Sequence, residues 1–105
     1  MLTVIESPLF TQIWADYWTE DERGEFAAFL SLNPTAGAVI PGSGGCRKIR
    51  WSRSGSGKRG GVRVIYSTQL KRGTVVLLVI YAKSAHDTIP SHLLRRIARE
   101  FADAS

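Results

Sequence analysis

Val62-Arg63-Val64-Ile65-Tyr66 and Val75-Val76-Leu77-Leu78-Val79-Ile80-Tyr81-Ala82 are dense in β-branched and aromatic residues and stand one glycine-bearing link apart. In the first run, Arg63 and Ile65 alternate with Val62, Val64 and Tyr66, the period-two signature of a strand with one face in the core. The second run is apolar nearly throughout, as expected of a strand in the middle of a sheet. Upstream, Cys46-Arg47-Lys48-Ile49-Arg50-Trp51 alternates again, with Cys46, Lys48 and Arg50 on one face and Arg47, Ile49 and Trp51 on the other. Three antiparallel strands are therefore expected.

Further toward the N-terminus the period changes. Leu2 to Ile5 is a short β-prone run, and Ser7-Pro8 after it suits the cap and first turn of a helix. Leu9, Phe10, Ile13, Trp14, Tyr17 and Trp18 recur at helical spacing and predict an amphipathic first helix. Thr19-Glu20-Asp21-Glu22 reads as a capping box for a second helix running to about Leu32, with Phe26, Phe29 and Leu30 inward and Asn33-Pro34 as its stop. Thr35 to Gly45 reads as loop, with Ala38-Val39-Ile40 docking briefly on the core. At the other end, Thr88-Ile89-Pro90 opens a last helix with Leu93, Leu94, Ile97, Ala98 and Phe101 inward and Arg95, Arg96 and Arg99 toward solvent. The order β α α β β β α predicts an α+β fold: a helical hairpin and a C-terminal helix packed on a mostly antiparallel sheet.

At 105 residues and 44% hydrophobic content the chain has material for one core, so residues 1–105 are read as a single domain. Cys46 is the lone cysteine and has no partner for an internal disulfide, which suits a reducing, cytoplasmic setting. The longest apolar run, Val75 to Ile80, is six residues, far short of the roughly 20 that cross a bilayer as a helix. The N-terminus lacks the basic region and apolar stretch of a secretory signal, so no membrane partner is expected. The formal net charge of +5 understates a sharp segregation, because ten Lys or Arg and no Asp or Glu lie between Phe26 and His86. One strongly positive surface and a polyanionic partner follow.

Gly55-Ser56-Gly57-Lys58-Arg59-Gly60 matches a dinucleotide fingerprint, but a strand follows it where that motif needs a helix. It reads as a hairpin loop whose Lys58 and Arg59 can touch a phosphate backbone. His86, His92 and Cys46 form no metal-ligand spacing, so neither metal nor cofactor is expected. His86-Asp87 reads as a helix-entry pair, with His86 kept as a minor candidate for proton transfer. Lys48, Arg50, Arg63 and Lys83 sit on or at the ends of the three strands and can converge on one face, a constellation shaped for phosphate. Cleaving RNA through its 2′-OH needs a base, an acid for the leaving 5′-oxygen and positive charge against the phosphorane. Lys48, between Arg47 and Arg50, is a candidate base because neighbouring cations favour its neutral form. Arg47, Arg53, Lys58, Arg59, Lys71 and Arg72 are candidate RNA-backbone contacts. The same cations also fit a module that only holds nucleic acid, with Trp51 and Tyr66 as stacking platforms or as core.

A wider set of strings carries a resemblance. Asn33-Pro34, Ala36-Gly37, Val39-Ile40-Pro41-Gly42, Gly44-Gly45, Arg47-Lys48 and Arg50-Trp51 are followed by Gly57-Lys58, Gly60-Gly61, Arg63-Val64-Ile65-Tyr66 and Tyr81-Ala82-Lys83-Ser84. Together they resemble the HigB branch of the RelE/ParE toxin superfamily over essentially the whole chain. The resemblance implies the element order above and a toxin of a type II toxin–antitoxin pair, a ribosome-dependent messenger-RNA endonuclease that acts in the ribosomal A site. A cognate antitoxin is implied as partner, and the acidic first helices with the apolar groove beside them could receive its helix or strand. By motif position the catalytic set implied is Lys48 and Arg50, Arg63, and the segment from Tyr81 to Lys83. Within it Lys48 is base or phosphate-orienting group, Arg63 charge stabiliser, and Lys83 or Tyr81 acid or base-stacking partner. RelE-like enzymes that use a tyrosine near the C-terminus have no counterpart here, since no Tyr follows Tyr81, and His86 is the substitute. The ParE branch poisons DNA gyrase instead, so the fold alone leaves that alternative open.

Overall fold

Val62–Gln69 and Thr74–Ala82 pair antiparallel across a tight 3-10 turn at Leu70–Arg72, which Gly73 closes with a left-handed φ of 69°. The computed structural model describes residues 2–51, 61–82 and Arg96. Its elements are β1 (Thr3–Glu6), α1 (Pro8–Ile13), a 3-10 turn (Trp14–Asp16), α2 (Glu20–Leu32), β2 (Ala38–Val39), β3 (Cys46–Trp51), β4 (Val62–Gln69) and β5 (Thr74–Ala82). They build a five-stranded sheet in the order β1-β5-β4-β3-β2. Only β1 runs parallel to its neighbour, so the sheet is mostly antiparallel and the α+β expectation stands. The expected C-terminal helix lies outside the described residues apart from Arg96, which is helical and exposed.

Local chemistry explains the helices. The Ser7 hydroxyl caps α1 by accepting the Phe10 N–H at 3.0 Å, with Pro8 at the first helical position. Thr19 and Glu22 close the anticipated capping box, Glu22 taking the Thr19 N–H at 2.6 Å and Thr19 taking the Glu22 N–H at 3.3 Å. The first helix is shorter than its apolar spacing predicts. It ends at Ile13 and tightens into the 3-10 turn, which places Trp18 on the connector between the helices, 5.0 Å from Phe26 and 6.1 Å from Phe10 between ring centres. Trp18 thus joins the core without belonging to the stripe of α1.

Both faces of the sheet are apolar at their centre. On the helix side Phe10, Trp18, Phe26 and Leu30 pack on Val62, Val64, Tyr66, Val75, Leu77 and Ile80, with Ile49 and Trp51 at the margin. On the other side Cys46, Ile65, Val76, Leu78 and Val79 form a second buried cluster. Strict alternation along β5 would put Val75, Leu77, Val79 and Tyr81 on one face. The strand breaks that rule, because the register opposite β4 slips between Ile65 and Tyr66: Ile65 faces Val79 and Tyr66 faces Leu77. Leu78 is the extra residue of a β-bulge, and beyond it every side chain of β5 changes face. Ser7 ties the bulge to β1, its N–H bonding the Leu77 carbonyl and its hydroxyl the Leu78 carbonyl, both at 2.8 Å.

The segment expected to be loop contains a further strand. Ala38–Val39 pairs with Arg47 and Lys48 of β3 as the sheet's outer edge. Its brevity and the exposure of both residues hid it from pattern reading, since no buried face imposes an alternation.

Candidate functional site

The pairing register brings the predicted cations into one row. Arg50 on β3 faces Arg63 on β4, and Arg63 in turn faces Tyr81 on β5. Directly opposed residues stand roughly 4.5–5.5 Å apart at Cα, so three neighbouring strands present two guanidinium groups and a phenol side by side. Lys48, two residues before Arg50, lies on the same face, roughly 7 Å along the strand, opposite Ile65. This face is the one away from α1 and α2, because Ile49, Trp51, Val62 and Val64, the alternates of these residues, pack on the helix side. Lys48 and Arg50 are exposed, and Arg63 and Tyr81 are half-buried.

Tyr81 reaches this row only through the bulge. With an unbroken alternation it would share the helix side with Val75 and Leu77; the extra residue at Leu78 turns it toward Arg63. Burial pushes the Tyr81 phenol above the ordinary tyrosine range, and the Arg63 charge opposes part of that shift. Tyr81 therefore holds its proton at neutral pH, as a donor to a developing anion must. Arg50 and Arg63 stand at directly opposed positions on neighbouring strands, which concentrates positive charge on this part of the face. No Asp or Glu occurs between Phe26 and His86, so the strands themselves bring no carboxylate to the row.

Other predicted contacts fall elsewhere. Arg47 points to the opposite face, where its Nη1 donates to the carbonyls of Gly37 at 2.7 Å and Thr35 at 3.3 Å. Of the two arginines near Lys48 in sequence, only Arg50 shares its face. Lys71 and Arg72 sit in the β4–β5 turn, at the far end of the hairpin from Arg63, roughly 25 Å away at strand rise. The sheet between them is closed by Ile65, Ser67, Val76 and Leu78, each 4% exposed or less, so the turn is not a continuation of the row. Arg53, Lys58, Arg59, Lys83 and His86 lie outside the described residues. Tyr66 is core and fully buried, and Trp51 sits half-buried at the core margin, its ring centre 5.1 Å from that of Phe26 and 5.0 Å from that of Phe29. Cys46 is buried too, which raises its thiol pKa against the opposing hydrogen bond from Ser43.

A groove of about 440 Å³ opens on the helix side between β1 and α2, lined by Val4, Glu6, Glu20, Arg23, Gly24 and Ala27. Its charges are satisfied within the chain. Arg23 makes paired hydrogen bonds of 2.7 and 2.8 Å to Glu6, a third of 3.1 Å to Glu20, and lies 4.3 Å over the Trp14 ring. Among the described residues no helix is long and apolar enough to cross a membrane.

No family model matches the sequence. Among solved structures, the chain is similar to the E. coli toxin RelE, determined in the free state as a variant with two arginines changed to alanine. The superposition has a TM-score of 0.64 at 12% identity and covers 92% of this chain and 96% of that one. A superposition that spans nearly the whole of both molecules makes this five-stranded, mostly antiparallel sheet with its two helices a RelE-like α+β fold.

Proposed function

We propose that this protein is the toxin of a type II toxin–antitoxin pair, a metal-independent endoribonuclease that cuts messenger RNA in the ribosomal A site and is held silent by a cognate antitoxin. The observation that carries the reading is the row Arg50, Arg63, Tyr81 with Lys48 beside it on the face of a RelE-like sheet away from α1 and α2. The motif strings around Arg47-Lys48, Arg63-Val64-Ile65-Tyr66 and Tyr81-Ala82-Lys83-Ser84 favour the HigB-like branch of that fold.

In this reading the phosphodiester lies across β3, β4 and β5. Lys48 orients the phosphate or takes the proton of the ribose 2′-OH as its oxygen attacks phosphorus. Arg63, central in the row, stabilises the two negative charges of the phosphorane with Arg50 at its side. The bond from phosphorus to the 5′-oxygen then breaks, leaving a 2′,3′-cyclic phosphate and a 5′-hydroxyl. Tyr81 carries a neutral O–H beside Arg63, which supports it as donor to that leaving oxygen; Lys83 and His86 are the other candidates.

Primer extension on a translated messenger after induction, beside the same RNA incubated with protein alone, tests the proposal. Cuts within the open reading frame that require ribosomes, and that vanish in a Lys48→Ala, Arg63→Ala double variant, are expected. Intact messenger with arrested growth and a supercoiling defect would replace it with a gyrase inhibitor. Intact messenger with normal growth and salt-steep binding to naked RNA would leave a binding module.

A further inference from the structure

Lys48 owes its place to a strand too short to hold itself. Ile40 donates its N–H to the Cys46 carbonyl at 2.9 Å, and an antiparallel ladder alternates bonded and non-bonded pairs, so Ala38 and Lys48 are the next pair to exchange hydrogen bonds. The neighbours Arg47 and Ile49 consequently bond outward to β4, whereas the backbone N–H and C=O of Lys48 both face β2. That strand is two exposed residues, Ala38 and Val39, with Val39 57% exposed. Its own side chains bury little apolar surface, and the residue after it, Ile40, is half-buried against the second cluster.

What fastens it is Tyr66, on the helix side of β4. Its hydroxyl accepts the Gly37 N–H and donates to the Pro34 carbonyl, both at 2.9 Å, in a position with no solvent exposure. The Gly37 carbonyl is in turn held by Arg47 at 2.7 Å. Gly37 lies so flat between these groups that a Cβ there would come within 2.9 Å of both the Lys48 carbonyl and the Tyr66 hydroxyl. Any side chain at this position would push directly on the backbone of Lys48.

We infer that Tyr66 is a positioning residue for Lys48: through residues 34–38 it pins the edge strand that fixes the Lys48 backbone, and so aims an amine on the opposite face of the sheet. The inference rests on the reading of Lys48 as part of the cleavage site, and two readouts separate the failure of one from the failure of the other.

The experiment compares Tyr66→Phe, which keeps the ring and removes the hydroxyl, with Thr19→Ala, which removes the α2 cap far from the site and serves as a control of comparable stability loss. Amide hydrogen exchange comes first. In Tyr66→Phe the Lys48 amide should exchange about tenfold faster or more, the equivalent of one lost hydrogen bond, while the Ile49 amide keeps its protection; in Thr19→Ala neither should change. Steady-state cleavage of ribosome-bound messenger comes second. A displacement of about 1 Å at a reacting group can cost up to about 100-fold, so kcat should fall at least about tenfold in Tyr66→Phe with KM little changed, and Thr19→Ala should retain wild-type kcat. Wild-type protection of Lys48 in Tyr66→Phe, or an equal loss of kcat in Thr19→Ala, would overturn the inference. Faster exchange at Lys48 in a protein whose wild type cuts no messenger would support the pin and overturn the endonuclease reading instead. Should Tyr66→Phe fail to fold, Arg47→Gln removes the strap's other tie and should show the same selective loss of protection at Lys48.

Discussion

The two faces of this sheet are made from alternate residues of the same strands and serve opposite ends. On the helix side Ile49, Trp51, Val62, Val64 and Tyr66 meet Phe10, Trp18, Phe26 and Leu30 in a continuous aromatic and aliphatic core. On the other side the buried cluster of Cys46, Ile65, Val76, Leu78 and Val79 gives way, at the end where β3 and β5 flank Arg63, to Lys48, Arg50, Arg63 and Tyr81. One face is core along its length; the other passes from a buried apolar cluster to two arginines at directly opposed positions with a tyrosine beside them.

The helix side is the more sensitive to substitution. Phe26 is fully buried and in ring contact with both Trp18 and Trp51, so Phe26→Ala should lower the unfolding free energy by about 3–5 kcal/mol, read from urea denaturation, while the protein that remains folded cleaves as the wild type does. On the charged face the order reverses. Arg63→Ala should cost roughly 100- to 1000-fold in ribosome-dependent cleavage, the scale of one lost transition-state donor; a loss under about threefold would remove Arg63 from the catalytic role proposed for it.

Alkaline pH acts on both faces. Burial raises the pKa of Tyr66 on the helix side and of Cys46 and Tyr81 on the other, so each keeps its proton longer in the folded chain than in the unfolded one. The unfolded state then binds fewer protons, and stability falls as pH rises. Their contribution is complete below the unfolded values, about 8.5 for the thiol and 10 for the phenols, and is lost as pH climbs through the higher folded ones. Urea midpoints should hold steady from these groups near neutrality and drop above about pH 9; Tyr81→Phe should lessen the drop. The smallest effect is the most diagnostic of the contrast. Because exposed Arg50 stands directly opposite Arg63, Arg50→Gln should raise stability by a few tenths of a kcal/mol while weakening cleavage, the reverse of what a substitution in the core does. A Tm below wild type for Arg50→Gln would show that the row is not under charge strain.

Much of this was legible in the chain. The alternation in Cys46 to Trp51 and in Val62 to Tyr66 assigned Lys48, Arg50 and Arg63 to one face, and Thr19 with Glu22 marked the start of α2, because periodicity and capping are local properties. Three features were not. Ala38–Val39 gave no strand pattern, since both residues are exposed. Arg47 looked like one more phosphate contact until its position on the helix side tied it to Gly37 and Thr35. Lys71 and Arg72 belonged with the other cations by charge and are separated from them by the length of a hairpin.

By itself, then, the order of residues determined the strands at Thr3–Glu6, Cys46–Trp51, Val62–Gln69 and Thr74–Ala82, the start of α2 and most of the core that they share, because period and capping act within a single element. Tertiary structure alone decided which cations meet and which group joins them. Register across β3, β4 and β5 set Arg50 against Arg63, and a single bulged residue, Leu78, held by Ser7 from the far end of the chain, turned Tyr81 onto their face. An uninterrupted apolar run carries no mark of such a slip, because every residue in it is equally content on either side of a sheet buried on both.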